Sequence, residues 1–279
     1  MARRVRACTR EGSAMAGGWR KLRVGYRYGR ALASLVLVLM LSVPWRLAGR
    51  WRTSRRAIEN AAWDILLRGF GIRVRCHGDR RLVPGTLVLA NHLSWVDIAV
   101  LARVADVGFV AKADVAGWPL LGVLAQRHGS VFVDRHRRAG VVEAGRELVA
   151  RLASGRSLVL FAEGTTSTGE GVLPFRTSLV PDQAVDLRMV CPVTLACRDP
   201  RQRELVAWVG DDALLPHALA LAAAGGATID VDFGKPLSGG DRKQVVREAQ
   251  ARIALRLADL LGGCAAPTED QAATLKRAA

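Results

Sequence analysis

The chain has 279 residues, half of which are hydrophobic, and its formal net charge at pH 7 is +16. This hydrophobic fraction is enough for the core of a domain of that size and excludes a largely disordered chain. The five cysteines form no C-x-x-C pair and have no histidines at zinc-ligand spacing, so we expect reduced thiols and no metal site.

The positive charge is concentrated in the first part of the chain. Residues 1–60 contain 14 of the 41 Lys and Arg residues and only two acidic residues, which gives them a net charge of +12. A basic segment of this kind favours a polyanion as partner, either nucleic acid or an anionic membrane surface.

An apolar run inside this basic segment favours the membrane. Residues 31–45, ALASLVLVLMLSVPW, carry no charge. They are fewer than the roughly 20 residues that cross a bilayer, and Pro44 is expected to end or kink the helix. Because basic residues flank the run, we predict an anchor over residues 1–53 that dips into an anionic membrane surface, and no nucleic acid partner. A cleaved signal peptide and a buried core helix are the alternatives.

The following residues predict alternating helices and strands. Residues 54–70 have the apolar face of a helix, and Gly71 follows its end. Apolar, β-branched segments then predict strands over 72–76, 86–90, 107–111, 130–134, 157–161, 189–196, 205–209 and 227–233. Further helical patterns lie near 97–104, 115–127, 139–153, 212–223 and 241–262. We therefore predict an α/β fold, with a mainly parallel sheet flanked by helices in one domain over 54–262 and a flexible tail over 263–279.

Residues with reactive side chains first appear at the end of the strand predicted over 86–90. Asn91 and His92 follow it directly, and Asp97 comes five residues after the histidine. If the chain turns between them, the Asp97 carboxylate accepts a hydrogen bond from one imidazole nitrogen and leaves the other nitrogen free as a base. The alternative is that His92 is a satisfied polar residue and Asp97 caps the next helix.

Other predicted strands also end in polar residues. The segment GSVFVDR ends in Arg135, and the segment FAEGTTS continues from a strand into Glu163 and a Gly-Thr-Thr-Ser turn. A third segment, VCPVTL at 190–195, has a proline inside a strand. Ligands of open α/β sheets bind outside the carboxyl ends of the strands, so we expect His92, Arg135 and Glu163 to share one site.

In this order and spacing, these segments resemble the glycerolipid acyltransferase family, the 1-acylglycerol-3-phosphate acyltransferases and their relatives. The family carries N-H-x4-D, G-x-x-F-x-x-R, F-P-E-G-T-R-S and V-P blocks, and an N-terminal membrane helix is also usual in it. The chain matches the blocks with Asn91-His92…Asp97, Gly129…Phe132…Arg135, Phe161-Ala162-Glu163-Gly164-Thr165-Thr166-Ser167 and Val190-Cys191-Pro192.

The resemblance implies an O-acyltransferase of phospholipid biosynthesis, with the glycerolipid acyltransferase fold over residues 54–262. His92 would be the general base that removes a proton from the hydroxyl of a lysolipid, and Asp97 would orient it. The oxygen would then attack the thioester of acyl-CoA or acyl-carrier protein, without a cofactor and without an acyl-enzyme. The expected location is the cytoplasmic face of the inner membrane. The expected acceptor-binding residues are Asn91, Ser94, Lys112, Arg135, Glu163, Gly164, Thr165, Thr166 and Arg176.

Two positions depart from the family pattern. Ala162 stands in place of proline and is expected to change only local stiffness. Thr166 stands where the phosphate acyltransferases have arginine, and a threonine offers neither the charge nor the paired donors of a guanidinium. Either Arg176 compensates and the acceptor is 1-acyl-sn-glycerol-3-phosphate, which gives phosphatidic acid, or the acceptor lacks a phosphomonoester. The E-G-T-T-S variant resembles lyso-ornithine lipid acyltransferases, which is the alternative function.

Two other classes of protein explain less of the sequence. A serine lipase or esterase needs a G-x-S-x-G elbow, which the chain lacks, and Ser94 is too close to His92 in sequence to be its nucleophile. A non-catalytic membrane-surface or nucleic-acid binding protein explains the basic segment but leaves the four blocks without a role.

Overall fold

The structure, a computed structural model, describes residues 2–47, 52–117, 122, 125, 126, 129–134, 137–182, 189–238 and 240–262. It divides into two compact units, one formed by residues 1–73 and 212–226 and the other by residues 74–211 and 227–279. These boundaries differ from the domain boundary predicted between residues 53 and 54. The anchor role of residues 1–53 stays a prediction, and the tail predicted at 263–279 lies outside the described residues.

The sheet has seven strands, in the spatial order β1-β7-β6-β2-β5-β3-β4. The strands are β1 (Arg73–Gly78), β2 (Leu87–Ala90), β3 (Val107–Lys112), β4 (Val131–Val133), β5 (Ser157–Phe161), β6 (Val190–Ala196) and β7 (Thr228–Phe233). The neighbours from β6 through β2, β5 and β3 to β4 are parallel, and β7 is antiparallel to β6. The prediction of a mainly parallel sheet is confirmed.

Helices alternate with these strands along the chain. The described helices are α1 (Ala2–Leu47), α2 (Arg52–Gly69), α3 (Val96–Val104), α4 (Arg138–Ala153), α5 (Pro200–Val206), α6 (Leu214–Ala224) and α7 (Arg242–Leu260). Helix α4 packs against β4 and β5, and α7 packs against β6. The helix predicted over 115–127 lies largely outside the described residues. The alternation of strands and helices follows the sequence pattern, so the predicted α/β class with flanking helices is confirmed.

One predicted strand, over 205–209, is wrong. Helix α5 occupies the residues up to Val206, and an irregular segment follows it. The helix begins where it does because the Asp199 side chain accepts a hydrogen bond from the Gln202 N–H. Pro200 also has the fixed φ that suits the first turn of a helix. Local capping therefore outweighs the β-branched character of the residues that follow.

The unit formed by residues 1–73 and 212–226 uses its basic residues at helix ends. Arg27 on α1 donates to the Ala223 carbonyl at the end of α6 over 2.6 Å. Arg30 on α1 donates to the Gly69 carbonyl at the end of α2 over 3.1 Å. Cations at these positions satisfy terminal carbonyls and lie at the negative ends of the helix dipoles. Two arginines of the predicted anchor are therefore bonded within the protein.

Helix α1 extends well beyond the predicted apolar run and ends at Leu47, one turn after Pro44. A proline so close to the end of a helix removes one hydrogen bond and leaves the earlier turns intact. By length and composition, the 24-residue segment Gly18–Leu41 is able to cross a membrane, and 17% of its apolar window is buried. A core helix or a signal sequence passes the same test, so this segment is weak evidence of membrane association.

The core of the other unit lies around the three central strands. Every residue of β2, β5 and β6 is buried, as the continuous apolar runs of these strands require in a sheet covered on both faces. Leu148 on α4 and Ile253 on α7 complete this core. Burial raises the pKa of the Cys191 and Cys197 thiols to about 12, so both stay protonated at neutral pH.

Candidate active site

The register of the sheet brings the ends of β2 and β5 together. Ala90, the last residue of β2, is paired with Phe161, the last residue of β5. His92 and Glu163 each follow two residues later, and the His92 N–H donates to Glu163 Oε1 over 2.9 Å. The N-H-x4-D and E-G-T-T-S segments therefore meet at the carboxyl ends of adjacent parallel strands.

His92 and Asp97 form a hydrogen-bonded pair at this point. His92 Nδ1 lies 2.7 Å from Asp97 Oδ2. The chain turns after His92 and Trp95 is the N-cap of α3, so Asp97 lies in the first turn of that helix and does not cap it. Asp97 Oδ2 also accepts the N–H groups of Leu93 over 2.6 Å and Ser94 over 2.9 Å. The helix start and these backbone donors hold a completely buried carboxylate against the imidazole.

The second imidazole nitrogen of His92 is available for reaction. A carboxylate only accepts hydrogen bonds, so the hydrogen of the pair is on Nδ1 and Nε2 carries a lone pair. The His92 ring stacks on Phe161, with ring centroids 3.8 Å apart and an angle of 10° between the planes. The His92 side chain is 16% exposed and lines a cavity. This is the geometry of an oriented general base.

Glu163 is a buried carboxyl that links the segments around the histidine. Its Oε1 accepts the His92 N–H, and its Oε2 accepts the Leu173 N–H over 3.2 Å. Burial raises the pKa of Glu163 to about 7; the two backbone donors oppose the increase, and the nearby Asp97 charge adds to it. A share of Glu163 is therefore uncharged at neutral pH, which reduces its repulsion with Asp97.

A cavity of about 280 Å³ opens beside His92. Four of the predicted binding residues line it, namely Lys112, Gly164, Thr165 and Thr166. Lys112 and Asp114 contribute one charge of each sign to the lining. The aromatic lining residues are Trp95, Phe109, Phe161 and Trp208. The cavity therefore offers an apolar body with a small number of polar groups, as ligand sites commonly do.

Other predicted binding residues lie outside the lining of this cavity. Asn91 is completely buried, and its side-chain amide exchanges two hydrogen bonds, of 2.9 and 2.8 Å, with the backbone of Leu195 on β6. Ser94 is also completely buried, and its Oγ accepts the Val96 N–H over 3.4 Å. Both side chains hold the backbone around the histidine, and contact of either with an acceptor stays a prediction.

Of the two predicted binding arginines, the structure describes Arg176 but not Arg135. The Arg176 side chain packs over Gly164, whose φ of +75° requires glycine. Its Cδ and Nε atoms lie 3.2 Å from the place that a Cβ of residue 164 would occupy. Arg176 is therefore close to the turn that lines the cavity. Arg135 lies outside the described residues.

The sequence did not indicate the role of Trp208, which follows α5 and belongs to none of the four blocks. The Thr166 Oγ1 hydroxyl donates to the Trp208 carbonyl, and the Trp208 N–H donates to the Leu93 carbonyl over 2.9 Å. These bonds attach the Trp208 segment to the N-H-x4-D segment and to the E-G-T-T-S segment. Asp114 was also missed, although its place two residues after Lys112 at the end of β3 was a usable signal.

The chain is similar to known proteins over most of its length. Residues 73–195 match the family model described as Acyltransferase. A lyso-ornithine lipid O-acyltransferase of Rhizobium meliloti is 36% identical over 82% of this chain and 85% of that protein. A 1-acyl-sn-glycerol-3-phosphate acyltransferase of Neisseria gonorrhoeae is 34% identical over 53% of this chain and 59% of that protein.

The fold is similar to that of a solved structure. The crystal structure of the 1-acyl-sn-glycerophosphate acyltransferase PlsC from Thermotoga maritima matches with a TM-score of 0.55 and 19% identity, over 84% of this chain and 97% of that chain. This likeness supports the α/β fold described above.

Proposed function

The chain belongs to the acyltransferase family and is an O-acyltransferase of lysolipids, and from this premise we propose that His92 is its general base and Asp97 the residue that orients it. The observation that carries the proposal is the bond between His92 Nδ1 and Asp97 Oδ2, which leaves Nε2 unused on a residue that lines the cavity. Positioned base catalysis of this kind contributes about 10²–10⁴-fold to a rate.

The reaction follows from these positions. His92 Nε2 takes the proton of the acceptor hydroxyl as the oxygen attacks the thioester carbonyl of acyl-CoA or acyl-carrier protein. The carbon–sulfur bond breaks, and the leaving thiolate takes the proton from the imidazolium. Asp97 stabilises the imidazolium in between, because its buried carboxylate is bonded, among the described residues, to uncharged backbone N–H groups and not to another cation.

For the acceptor, we favour a lysolipid whose headgroup carries both a carboxylate and an ammonium group, as in lyso-ornithine lipid. The cavity lining supplies Lys112 for the anionic group and Asp114 for the cationic group. The single O–H of Thr166 is donated to the Trp208 carbonyl, so this hydroxyl does not supply the donor that a phosphate needs. Lyso-ornithine lipid O-acyltransferases of Rhizobium meliloti and Brucella abortus are similar over 82% and 83% of the chain.

A second acceptor, 1-acyl-sn-glycerol-3-phosphate, is supported by a different observation. Arg176 packs over Gly164 and brings a guanidinium to the same turn that carries Thr166. A guanidinium binds phosphate through paired donors, so Arg176 together with Lys112 is able to replace the arginine that the family has at position 166. The product would then be phosphatidic acid.

An acceptor panel distinguishes the two. The purified chain is supplied with labelled acyl-CoA or labelled acyl-carrier protein and with each lysolipid, and the products are identified by mass spectrometry. We expect a higher kcat/KM for lyso-ornithine lipid, and we expect Thr166→Arg to lower it by about tenfold or more, because a fixed positive charge would face the ammonium group. A preference for 1-acyl-sn-glycerol-3-phosphate that Arg176→Ala abolishes would select the second acceptor, and failure to acylate any lysolipid would overturn the proposal.

We also propose that the chain works at the cytoplasmic face of the inner membrane, anchored by α1. The segment Gly18–Leu41 supplies the apolar length, and the basic residues around it favour anionic lipid. Apolar burial is not screened by salt, so the full chain should stay with anionic vesicles in a flotation assay at 1 M salt, where the Debye length is only about 3 Å. Release by salt alone would leave an electrostatic contact and no inserted helix.

A further inference from the structure

We infer that Trp208 determines acceptor specificity and that Thr166 is a positioning residue that acts through it. This inference rests on the lysolipid acyltransferase activity proposed above. Trp208 lines the cavity beside His92, yet it lies outside residues 73–195, which match the family model. It is therefore a part of the site that the family blocks do not supply.

The backbone of Trp208 is bonded on both sides. Its N–H donates to the Leu93 carbonyl over 2.9 Å, one residue after the catalytic histidine. Its carbonyl accepts the hydroxyl hydrogen of Thr166, in the turn after β5. Because Leu93 also donates its own N–H to Asp97, the segment that carries Trp208 is fixed to the same backbone that holds the catalytic pair.

This arrangement gives Thr166 a different task from an arginine at the same position. An arginine would extend a charged guanidinium group towards the acceptor, whereas the threonine hydroxyl donates to the Trp208 carbonyl. Trp208 is only half-buried and lines the cavity together with Gly210, and we call this pair the wall. A large ring with few rotatable bonds makes such a wall rigid, so its position decides which headgroups fit beside Lys112 and Asp114.

The wall is also suited to one of the two headgroup charges. A tryptophan face attracts an ammonium group through its quadrupole, and the Asp114 carboxylate lines the same cavity. A phosphate would gain nothing from the ring. Trp208 is thus expected to favour an acceptor with a cationic headgroup over one with a phosphomonoester.

The test is a double-mutant cycle on acceptor kinetics, measured with the full chain in detergent micelles and with both lysolipids. Trp208→Ala should lower kcat/KM for lyso-ornithine lipid by about tenfold or more, mainly through the acceptor KM, with the donor KM unchanged. Trp208→Phe should retain most of the activity. Thr166→Val should lower kcat/KM for lyso-ornithine lipid by about three- to tenfold, whereas Thr166→Ser, which keeps the hydroxyl, should retain the wild-type value.

The cycle separates an effect through Trp208 from a direct contact. If Thr166 acts through Trp208, the double variant Thr166→Val with Trp208→Ala should have the same kcat/KM as Trp208→Ala alone. Additive losses in kcat/KM would show that Thr166 contacts the acceptor itself and would overturn the inference. Thr168→Val, at an exposed position in the same loop, is the matched control and should leave both acceptors unaffected. Wild-type activity with an unchanged acceptor KM in Trp208→Ala would refute the role of Trp208, whereas an inactive wild-type chain would refute the proposed function.

Discussion

The pairs His92–Asp97 and His77–Asp230 have almost equal lengths, and their surroundings differ. His92 Nδ1 lies 2.7 Å from Asp97 Oδ2, and His77 Nε2 lies 2.6 Å from Asp230 Oδ1. The first pair follows the central strand β2 and lines the cavity. The second joins β1 and β7, and His77 lines neither this cavity nor the apolar cavity of about 580 Å³ beside α4.

The neighbouring charges separate the two pairs further. Asp230 accepts two hydrogen bonds of 3.0 Å from the Arg198 guanidinium, so a permanent cation already balances its charge. Among the described residues, Asp97 accepts backbone N–H groups besides the imidazole, and its acidic neighbour Glu163 is partly neutral at neutral pH. The two aspartates therefore have different electrostatic surroundings. Distance alone does not identify a catalytic pair.

The largest expected effect separates the two histidines. His92→Ala should lower kcat for acyl transfer by about 10²–10⁴-fold, because it removes the base. His77→Ala should leave kcat within about twofold of the wild type, because His77 does not line the cavity beside His92 and its aspartate is still held by Arg198. Equal losses in the two variants, with both proteins folded by circular dichroism, would contradict the distinction.

Substitution of the two aspartates should affect different properties, turnover for Asp97 and stability for Asp230. Asp97→Asn should lower kcat by about a hundredfold or more without unfolding the protein, since an amide favours the wrong imidazole tautomer. Asp230→Asn should keep kcat and lower the free energy of unfolding by about 1–3 kcal/mol, because charge-assisted bonds to Arg198 are lost. Urea unfolding and steady-state kinetics on the same preparations check both statements. A loss of turnover in Asp230→Asn without loss of stability would show that the second pair takes part in the reaction.

A pH series tests Glu163, the acidic neighbour of the first pair. Burial raises the pKa of Glu163 from 4.5 to about 7, so the folded chain binds this proton more tightly than the unfolded chain. The resulting stabilisation is fully present below about pH 4.5 and is lost as the pH rises through about 7. The difference in free energy of unfolding between wild type and Glu163→Gln should therefore fall across this window, on the order of 3 kcal/mol. An equal difference at pH 4 and pH 8 would contradict the raised pKa of Glu163.

The smallest expected effect on kcat is that of replacing Phe161, whose ring stacks on the His92 imidazole. Phe161→Leu keeps an apolar side chain but removes the ring stacked 3.8 Å from the imidazole. An aromatic pair contributes about 0.5–1.5 kcal/mol, so kcat should fall by roughly three- to tenfold. The donor and acceptor KM values should change less than kcat. A change in acceptor KM with an unchanged kcat would show that Phe161 binds lipid and does not orient the base.

The same two pairs show what a sequence can reveal. His92 and Asp97 are five residues apart at the end of an apolar strand, so their meeting needs only a turn, and it was predicted. His77 and Asp230 are 153 residues apart, and their meeting depends on β1 and β7 being neighbours. The bond from Thr166 to Trp208 depends likewise on the path of the chain after α5, where the sequence wrongly predicted a strand. Contacts fixed by local turns and strand ends were predictable, whereas contacts fixed by sheet order were not.

The Asn91 side chain has a consequence for the motions of the site. The backbone pairing between β2 and β6 ends just before Asn91, and the Asn91 side-chain amide then makes the hydrogen bonds to the Leu195 backbone. His92 is the residue after Asn91. The amide hydrogens of Leu195 and His92, one held by Asn91 and the other by Glu163, should therefore exchange with deuterium as slowly as those of the central strands. If His92 is already ordered before the lipid binds, binding does not have to pay the entropy of ordering it. More of the binding free energy is then available to discriminate between headgroups.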